Sequence, residues 1–438
     1  MTSRALRAFI NGAEVGTLYE VDGLWRFAYA PSWLVHPWRF ALSPHLPLSA
    51  DPLVDGASHR PVQWYFDNLL PEEGQRTLLA GDARLHVADA FGLLAHYGAE
   101  SAGALTLLPP GEALPAAGDS RPLSDAVLHA RICQLPKVPL THAAIKRMSL
   151  AGAQHKLAVV LQGGELFEPT GATASTHILK PDHPDGDYPH SAVNEWFVMR
   201  LAARLRLEVP AVHRRYVPAP VYLIDRFDRF DHGAPSAQAQ RLHVIDACQL
   251  LGLGRSFKYS QGSMESLLRL ANACRSPAVA RTRLFAWLVF NVLVGNSDAH
   301  LKNLSFLVSH EGVQLTPFYD LLSVAAYDTP AFGQAGWPAQ TPLAWPILGV
   351  RHFAGMGRAL LLQAGAALHL APATAQRVLG ELRRRIVPEA DKLFGEVQAD
   401  NARLAAARPA LSATLAGETR ALRTIRHTIV GDMVGRLG

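Results

Sequence analysis

Cysteine is nearly absent from this 438-residue chain: Cys133, Cys248 and Cys274 are all it has. Three thiols so widely spaced cannot build a disulfide framework, and no CxxC pair offers a zinc site. Reduced thiols in a reducing compartment are expected. Long hydrophobic runs are missing too. The most apolar stretch, Leu284 to Gly295, is interrupted by Asn291 and falls short of the roughly 20 residues that span a bilayer. Met1 to Val15 contains Arg4, Arg7 and Asn11 and does not read as a secretory signal. A soluble, cytoplasmic protein with no membrane partner is predicted. A strong charge of either sign is also lacking: 42 Lys and Arg face 37 Asp and Glu, which permits an anionic partner without requiring one. Glycine (34) and proline (30) stay below the level of low-complexity disorder, and 49% hydrophobic residues are ordinary for a globular chain. The length corresponds to about two or three domains.

Turn chemistry organises the start. Leu6, Ala8 and Ile10 alternate with polar residues before Asn11-Gly12, and Asp22-Gly23 precedes Trp25, Phe27 and Tyr29. Asn-Gly tolerates the positive φ angles of a type I′ turn, so a β-meander is expected. Residues 60–110 read as helices, and Pro109, Pro110, Gly111, Pro115 and Gly118 mark a composition break. Beyond it, Leu157 to Leu161 and Thr176 to Lys180 read as strands separated by a Gly163-Gly164 turn. Ser191 is a candidate cap for a helix to about Arg206, and Val221 to Arg226 reads as a strand. After about residue 240 the pattern is mainly helical, apart from 304–308 and a loop-rich 327–350 region.

The chemistry concentrates in Gly295-Asn296-Ser297-Asp298-Ala299-His300-Leu301-Lys302-Asn303. Asp298 and Asn303 stand five apart, the interval of the protein-kinase catalytic loop. A short loop must hold one carboxylate on the acceptor hydroxyl and, five residues on, an amide oxygen on a phosphate-bound magnesium ion. Thr316-Pro317-Phe318-Tyr319-Asp320 follows a predicted hairpin and delivers a second carboxylate. Upstream, Lys180 ends a strand and Glu195 lies on a helix, the pairing that neutralises phosphates in a kinase. Ser149-Leu150-Ala151-Gly152-Ala153-Gln154-His155-Lys156 is a small-residue loop whose backbone can approach phosphate. Each element has a plainer reading as well: a polar turn for Asp298 and Asn303, a helix cap for Asp320, a solvated strand end for Lys180, a surface acid for Glu195, a loop serine for Ser149.

These segments, with Thr176–Lys180, resemble the HipA-type serine/threonine kinases, the toxins of bacterial type II toxin–antitoxin modules. The similarity also takes in Phe66–Leu70 and Phe91–Pro109. The resemblance implies a two-lobed, protein-kinase-like α+β fold with an N-terminal β-rich subdomain and a mainly helical C-terminal lobe. It divides the chain into an N-terminal subdomain (1–108), a linker and connecting helix (109–145), a nucleotide-binding part (146–240) and a helical catalytic lobe (241–438). It implies ATP and Mg²⁺ as cofactors, Asp298 as catalytic base, Lys180 on phosphate, and Asn303 and Asp320 on magnesium. Ala151, Gly152, Ala153, Gln154, His155 and Lys156 line the nucleotide, with His300, Leu301, Lys302 and Tyr319. Asp225-Arg226-Phe227 matches the hinge that meets adenine through its backbone. The family pattern has glutamate at the hinge and commonly at position 155, where this chain has Asp225 and His155. Ser149 matches the serine that such kinases phosphorylate on themselves, silencing the enzyme. The implied partners are a HipB-like helix-turn-helix antitoxin, operator DNA mainly through that antitoxin, and a protein of the translation machinery, glutamyl-tRNA synthetase being the family's best-known target. Two other readings remain open: a small-molecule kinase, because Asp298 to Asn303 also fits D-x-H-x-x-N, and a non-catalytic corepressor. Arg383-Arg384-Arg385 with Arg377 reads as a solvated helix face or as a phosphate contact to operator DNA.

Overall fold

The structure, a computed structural model, describes residues 3–116, 118–142, 144, 151–152, 154–230 and 240–438. Ser149 and Ala153 lie outside the described residues. The chain forms two compact units, each assembled from three stretches. The first comprises Met1–Lys180, Ile224–Lys258 and Ser305–Thr316; the second comprises Pro181–Leu223, Tyr259–Leu304 and Pro317–Gly438. Among the described residues no helix is long and apolar enough to cross a membrane.

In the first unit the meander forms as its turn residues dictate. Strands Ser3–Ile10, Ala13–Val21 and Leu24–Tyr29 pair antiparallel, with Ile10 opposite Ala13 and Val21 opposite Leu24. Asn11 and Gly12 both take positive φ, at 46° and 87°, as a type I′ turn requires. Leu53–Val54 and Leu105–Leu108 complete a five-stranded sheet. Its apolar face carries Trp25 and Phe27, which meet Phe91 and Phe66 of the helices Ala90–Tyr97 and Pro61–Asp67. A second set of antiparallel strands contains Leu157–Gln162 and His177–Pro181, near their expected limits. Between them the structure adds a strand the sequence reading lacked. Gly163-Gly164 closes a hairpin onto Glu165–Pro169, with Gln162 opposite Glu165. The alternation that would have announced it is broken by the buried Glu168, whose charge is held by Arg131 at 2.6 Å.

A knot of charge fastens the N-terminal part to the rest of this unit. Glu100, fully buried, faces Arg241 at 2.7 Å, Arg229 at 3.1 Å and Arg226 at 3.7 Å. Asp228 bonds Arg226 at 2.6 Å and accepts the Gly103 N–H at 2.8 Å. Burial alone would raise the Asp228 carboxyl, but Arg226 and Arg229 reverse this and hold it well below the carboxylate range. Burial, with Arg226 alongside, pushes Arg229 down to about 10. A second knot joins Asp67 to Arg76 and Arg255, and Lys258 to Glu72 at 2.7 Å.

The second unit is mainly helical. Its helix Ser191–Arg204 begins where predicted, yet Ser191 is not the cap. The Ser191 hydroxyl accepts the His183 N–H, and the Asp182 carboxylate instead takes the Ala192 N–H at 2.9 Å. The 327–350 region, expected as loop, contains the strand Pro342–Ile347 paired with Val350–His352. The arginine cluster lies on the long helix Pro372–Ala407. Arg385 there donates to the Arg204 carbonyl at 2.7 Å and Arg383 to the Val434 carbonyl at 3.4 Å, whereas Arg377 and Arg384 are exposed.

Glu418 is fully buried, bonded by Tyr216 at 2.6 Å and facing Arg214 at 3.3 Å. Burial pushes its carboxyl up to about 7, against the opposing pull of Tyr216 and Arg214. The folded chain therefore keeps this proton across a range in which the unfolded chain, at the ordinary 4.5, has lost it. Stability from this group falls as pH rises from about 4.5 to about 7 and is level above that. Glu418→Gln removes the titration, so its melting temperature relative to the parent is expected to be higher at pH 8 than at pH 5. An equal difference at the two pH values, by calorimetry, contradicts the assignment.

Candidate active site

The second unit brings the residues expected for the catalytic loop together. The apolar helix Pro277–Leu293 ends beneath them, and Gly295 turns the chain with φ 64°. A side chain at Gly295 would meet Ile429 and Ala325 at under 3 Å, so glycine is required for the turn and for the close approach. Asp298 follows with its side chain 43% exposed, and the short turn Leu301–Asn303 closes the loop. Asn303 donates from Nδ2 to the Asp298 carbonyl at 2.8 Å. That bond fixes the amide and leaves its Oδ1, a hard oxygen donor, for other use. His300 Nε2 stands 3.9 Å from the Asp298 carboxylate, and Tyr319 donates to the Lys302 carbonyl at 2.8 Å. Leu301 and Lys302 are buried within the turn. Asp320 adopts φ 58°, a left-handed conformation that costs a non-glycine residue about 1–3 kcal/mol and persists where its surroundings enforce it. Glu195 is buried on the helix Ser191–Arg204 of this same unit.

Sequence reasoning passed over two residues here. Asn296 sits among the quoted residues without a role, yet it is buried and ties the site together. Its Oδ1 accepts the Asp298 N–H at 3.1 Å, and its Nδ2 donates to Asn291 Oδ1 at 2.7 Å and to the Asp320 carbonyl at 3.4 Å. Tyr259 donates its hydroxyl to Asp298 Oδ1 at 2.5 Å, and its ring stands edge-on to His300. Asn296 was legible as a repeated asparagine beside the candidate catalytic aspartate. Tyr259 gave no signal, being 39 residues upstream in the chain.

The first unit holds the remaining residues. Lys180 is buried on the strand His177–Pro181. In the small-residue loop, Gly152 takes φ 109° and Lys156 Nζ donates back to the Ala151 carbonyl at 2.7 Å. A Cβ on Gly152 would lie 2.6 Å from that Nζ. The loop rests on the N-terminal part: Gly152 bridges to Pro71, the Glu72 N–H reaches the Gly152 carbonyl at 3.3 Å, and Gln75 bonds buried His155 at 2.8 Å. Gln154 and Lys156 line the same small pocket as Pro71, Gln75 and Leu79. In the segment expected as the hinge, the Asp225 carboxylate meets His177 at 2.9 Å, and the Arg226 N–H is spent on the Thr176 carbonyl at 2.9 Å. The Arg226 guanidinium points into the Glu100 knot, away from any ligand role of its own, and Phe227 follows it.

Comparison with known proteins establishes the family. Residues 6–108 match the HipA N-terminal domain, and residues 148–390 match the HipA-like C-terminal domain. A protein of Sinorhizobium fredii named as a kinase is 39% identical over 341 residues, covering 75% of this chain and 79% of the relative. The serine/threonine-protein kinase toxin HipA of Shewanella oneidensis is 33% identical over 327 residues, covering 69% of this chain and 72% of the relative. Among solved structures, the Shewanella oneidensis toxin–antitoxin complex of HipA, HipB and operator DNA is matched with a TM-score of 0.76 at 26% identity, over 98% of this chain and 99% of that one. The fold is accordingly of the protein-kinase-like α+β type. With both domains matched in order and more than two thirds of the chain aligned at 33–39% identity, this chain belongs to the HipA family.

Proposed function

We propose that the protein is an ATP-dependent serine/threonine protein kinase acting as the toxin of a toxin–antitoxin pair. The observation that carries the reading is the closed Asp298–Asn303 loop: an accessible carboxylate, an amide oriented by the loop's own backbone, and Asp320 tied to the Asp298 backbone through Asn296. Asp298 orients the acceptor hydroxyl and takes its proton as the serine or threonine oxygen bonds the γ-phosphorus and the bond to the β-phosphate oxygen breaks. Lys180 neutralises phosphate charge, with Glu195 as the acid that orients it. Ala151, Gly152, Ala153, Gln154, His155 and Lys156 cradle phosphate, and the backbone around Asp225, Arg226 and Phe227 receives adenine. His300, Leu301, Lys302 and Tyr319 shape the catalytic side.

Asn303 Oδ1 and the Asp320 carboxylate are the hard oxygen donors that suit magnesium, and the fixed Asn303 amide supports that assignment. Magnesium, when bound, neutralises charge on the transferring phosphoryl group. A HipB-like antitoxin is the proposed partner, with operator DNA reached mainly through it; the solved relative was captured in a complex of HipA, HipB and operator DNA. A translation component, with glutamyl-tRNA synthetase as the first candidate, is the proposed substrate. Incubation of cell extract with labelled ATP tests the class of acceptor: label is expected in protein, and label confined to soluble small molecules would favour a D-x-H-x-x-N small-molecule kinase.

Ser149 is the proposed self-phosphorylation site, because a dianionic phosphate on the small-residue loop repels ATP and seeks basic partners. Intact-mass measurement after incubation with ATP and Mg²⁺ is expected to show one added phosphate on the parent and none on Ser149→Ala. Modification that persists in the variant at the same level would place the site elsewhere.

A further inference from the structure

Asn194 precedes Glu195 on the helix Ser191–Arg204 and is 1% exposed. Its amide does not serve that helix. It grips the backbone of Ser323 from both sides: Nδ2 donates to the Ser323 carbonyl at 3.0 Å, and Oδ1 accepts the Ser323 N–H at 2.8 Å. The same Nδ2 lies 3.2 Å from the Tyr327 hydroxyl. Ser323 is fully buried and follows Asp320 by three residues, across buried Leu321 and Leu322. The other end of this segment is held by Asn296, which donates to the Asp320 carbonyl. A segment with a left-handed aspartate at its head is therefore clamped at both ends by asparagine amides. Two-point recognition of one residue's backbone N–H and C=O needs both a donor and an acceptor at amide spacing, which aspartate, serine and leucine all fail to supply.

We propose that Asn194 is a positioning residue for the Asp320 carboxylate. It locks the segment after Asp320 to the helix that carries Glu195, so that the metal-holding acid and the acid assigned to Lys180 are set by one rigid element. The inference rests on the kinase reading above and extends it to a residue that touches neither nucleotide nor metal. Removing the clamp lets the strained φ at Asp320 relax, and the carboxylate loses its preset direction.

The test is metal affinity, read without turnover. Mn²⁺ binding to the full-length protein is titrated by electron paramagnetic resonance in the presence of a non-hydrolysable ATP analogue, for the parent, Asn194→Asp, Asn194→Ser and Asp298→Asn. Analogue binding is measured separately in EDTA. Both Asn194 variants are expected to bind Mn²⁺ about tenfold more weakly, the scale of lost support behind a metal ligand. Their metal-free analogue affinity should stay within about twofold, and Asp298→Asn should resemble the parent. If Asn194→Asp fails to fold, Asn194→Ser decides. Parent-like Mn²⁺ affinity in a folded variant overturns the inference, as does an equal loss of analogue binding in EDTA, which marks a general structural defect. A parent protein that binds no Mn²⁺ with the analogue overturns the kinase reading itself.

Discussion

Asp298→Asn is expected to lower phosphoryl transfer by about 10²–10⁴-fold, the contribution of a positioned general base, while nucleotide affinity stays near that of the parent. The substitution is nearly isosteric, so the loop should survive it. Asn296 and Asn303 both hold residue 298 by its backbone, through the N–H and the carbonyl. The bond from Tyr259 uses the carboxylate itself, and an amide oxygen can still accept it. Loss of rate without loss of binding is the signature of an interaction made in the transition state. Transfer from labelled ATP and analogue binding, measured on the same preparation, give both numbers. Near-parental turnover would remove Asp298 from the role of base.

Glu100→Gln is expected to destabilise the chain by about 3–5 kcal/mol, because it takes one of two acids away from three buried guanidinium groups. Arg226 and Arg229 have side chains only 2% and 4% exposed, so water cannot replace the lost charge. The urea midpoint of the first unfolding transition reports the effect. Since Arg226 lies in the segment proposed to receive adenine, analogue affinity should fall with it. A shift below about 1 kcal/mol, the size of an ordinary surface substitution, would show that Asp228 alone suffices.

What the sequence disclosed, it disclosed through local chemistry. Asn11-Gly12 and Asp22-Gly23 specify their turns by φ preference alone, so the meander and its register follow from neighbours in the chain. The Asp298-to-Asn303 spacing is local in the same sense, and the loop it describes is closed by a bond between those two residues. What stayed hidden depends on partners far along the chain. Nothing around Ala99-Glu100-Ser101 announces three arginines more than a hundred residues later. Asn194 reads as one polar residue on an amphipathic helix until Ser323 is placed against it. Ser191 looked like a cap because serine commonly is one; the competing bond to the His183 N–H decided otherwise and left Asp182 to do it.

The three-stretch assembly of each unit bears on how the protein can be made. The first unit takes its last strands from Ser305–Ser309 and Gly312–Leu315, so a growing chain cannot finish it until the ribosome has passed Thr316. By then the segment with Asp298 has already been synthesised, and the remainder of the second unit is still to come. Ordinary N-terminal-first completion of one unit before the next begins is thereby ruled out. A truncated translation product of either half carries neither unit whole, and a gene fragment that stops before the codon for Thr316 encodes an unfinished first unit.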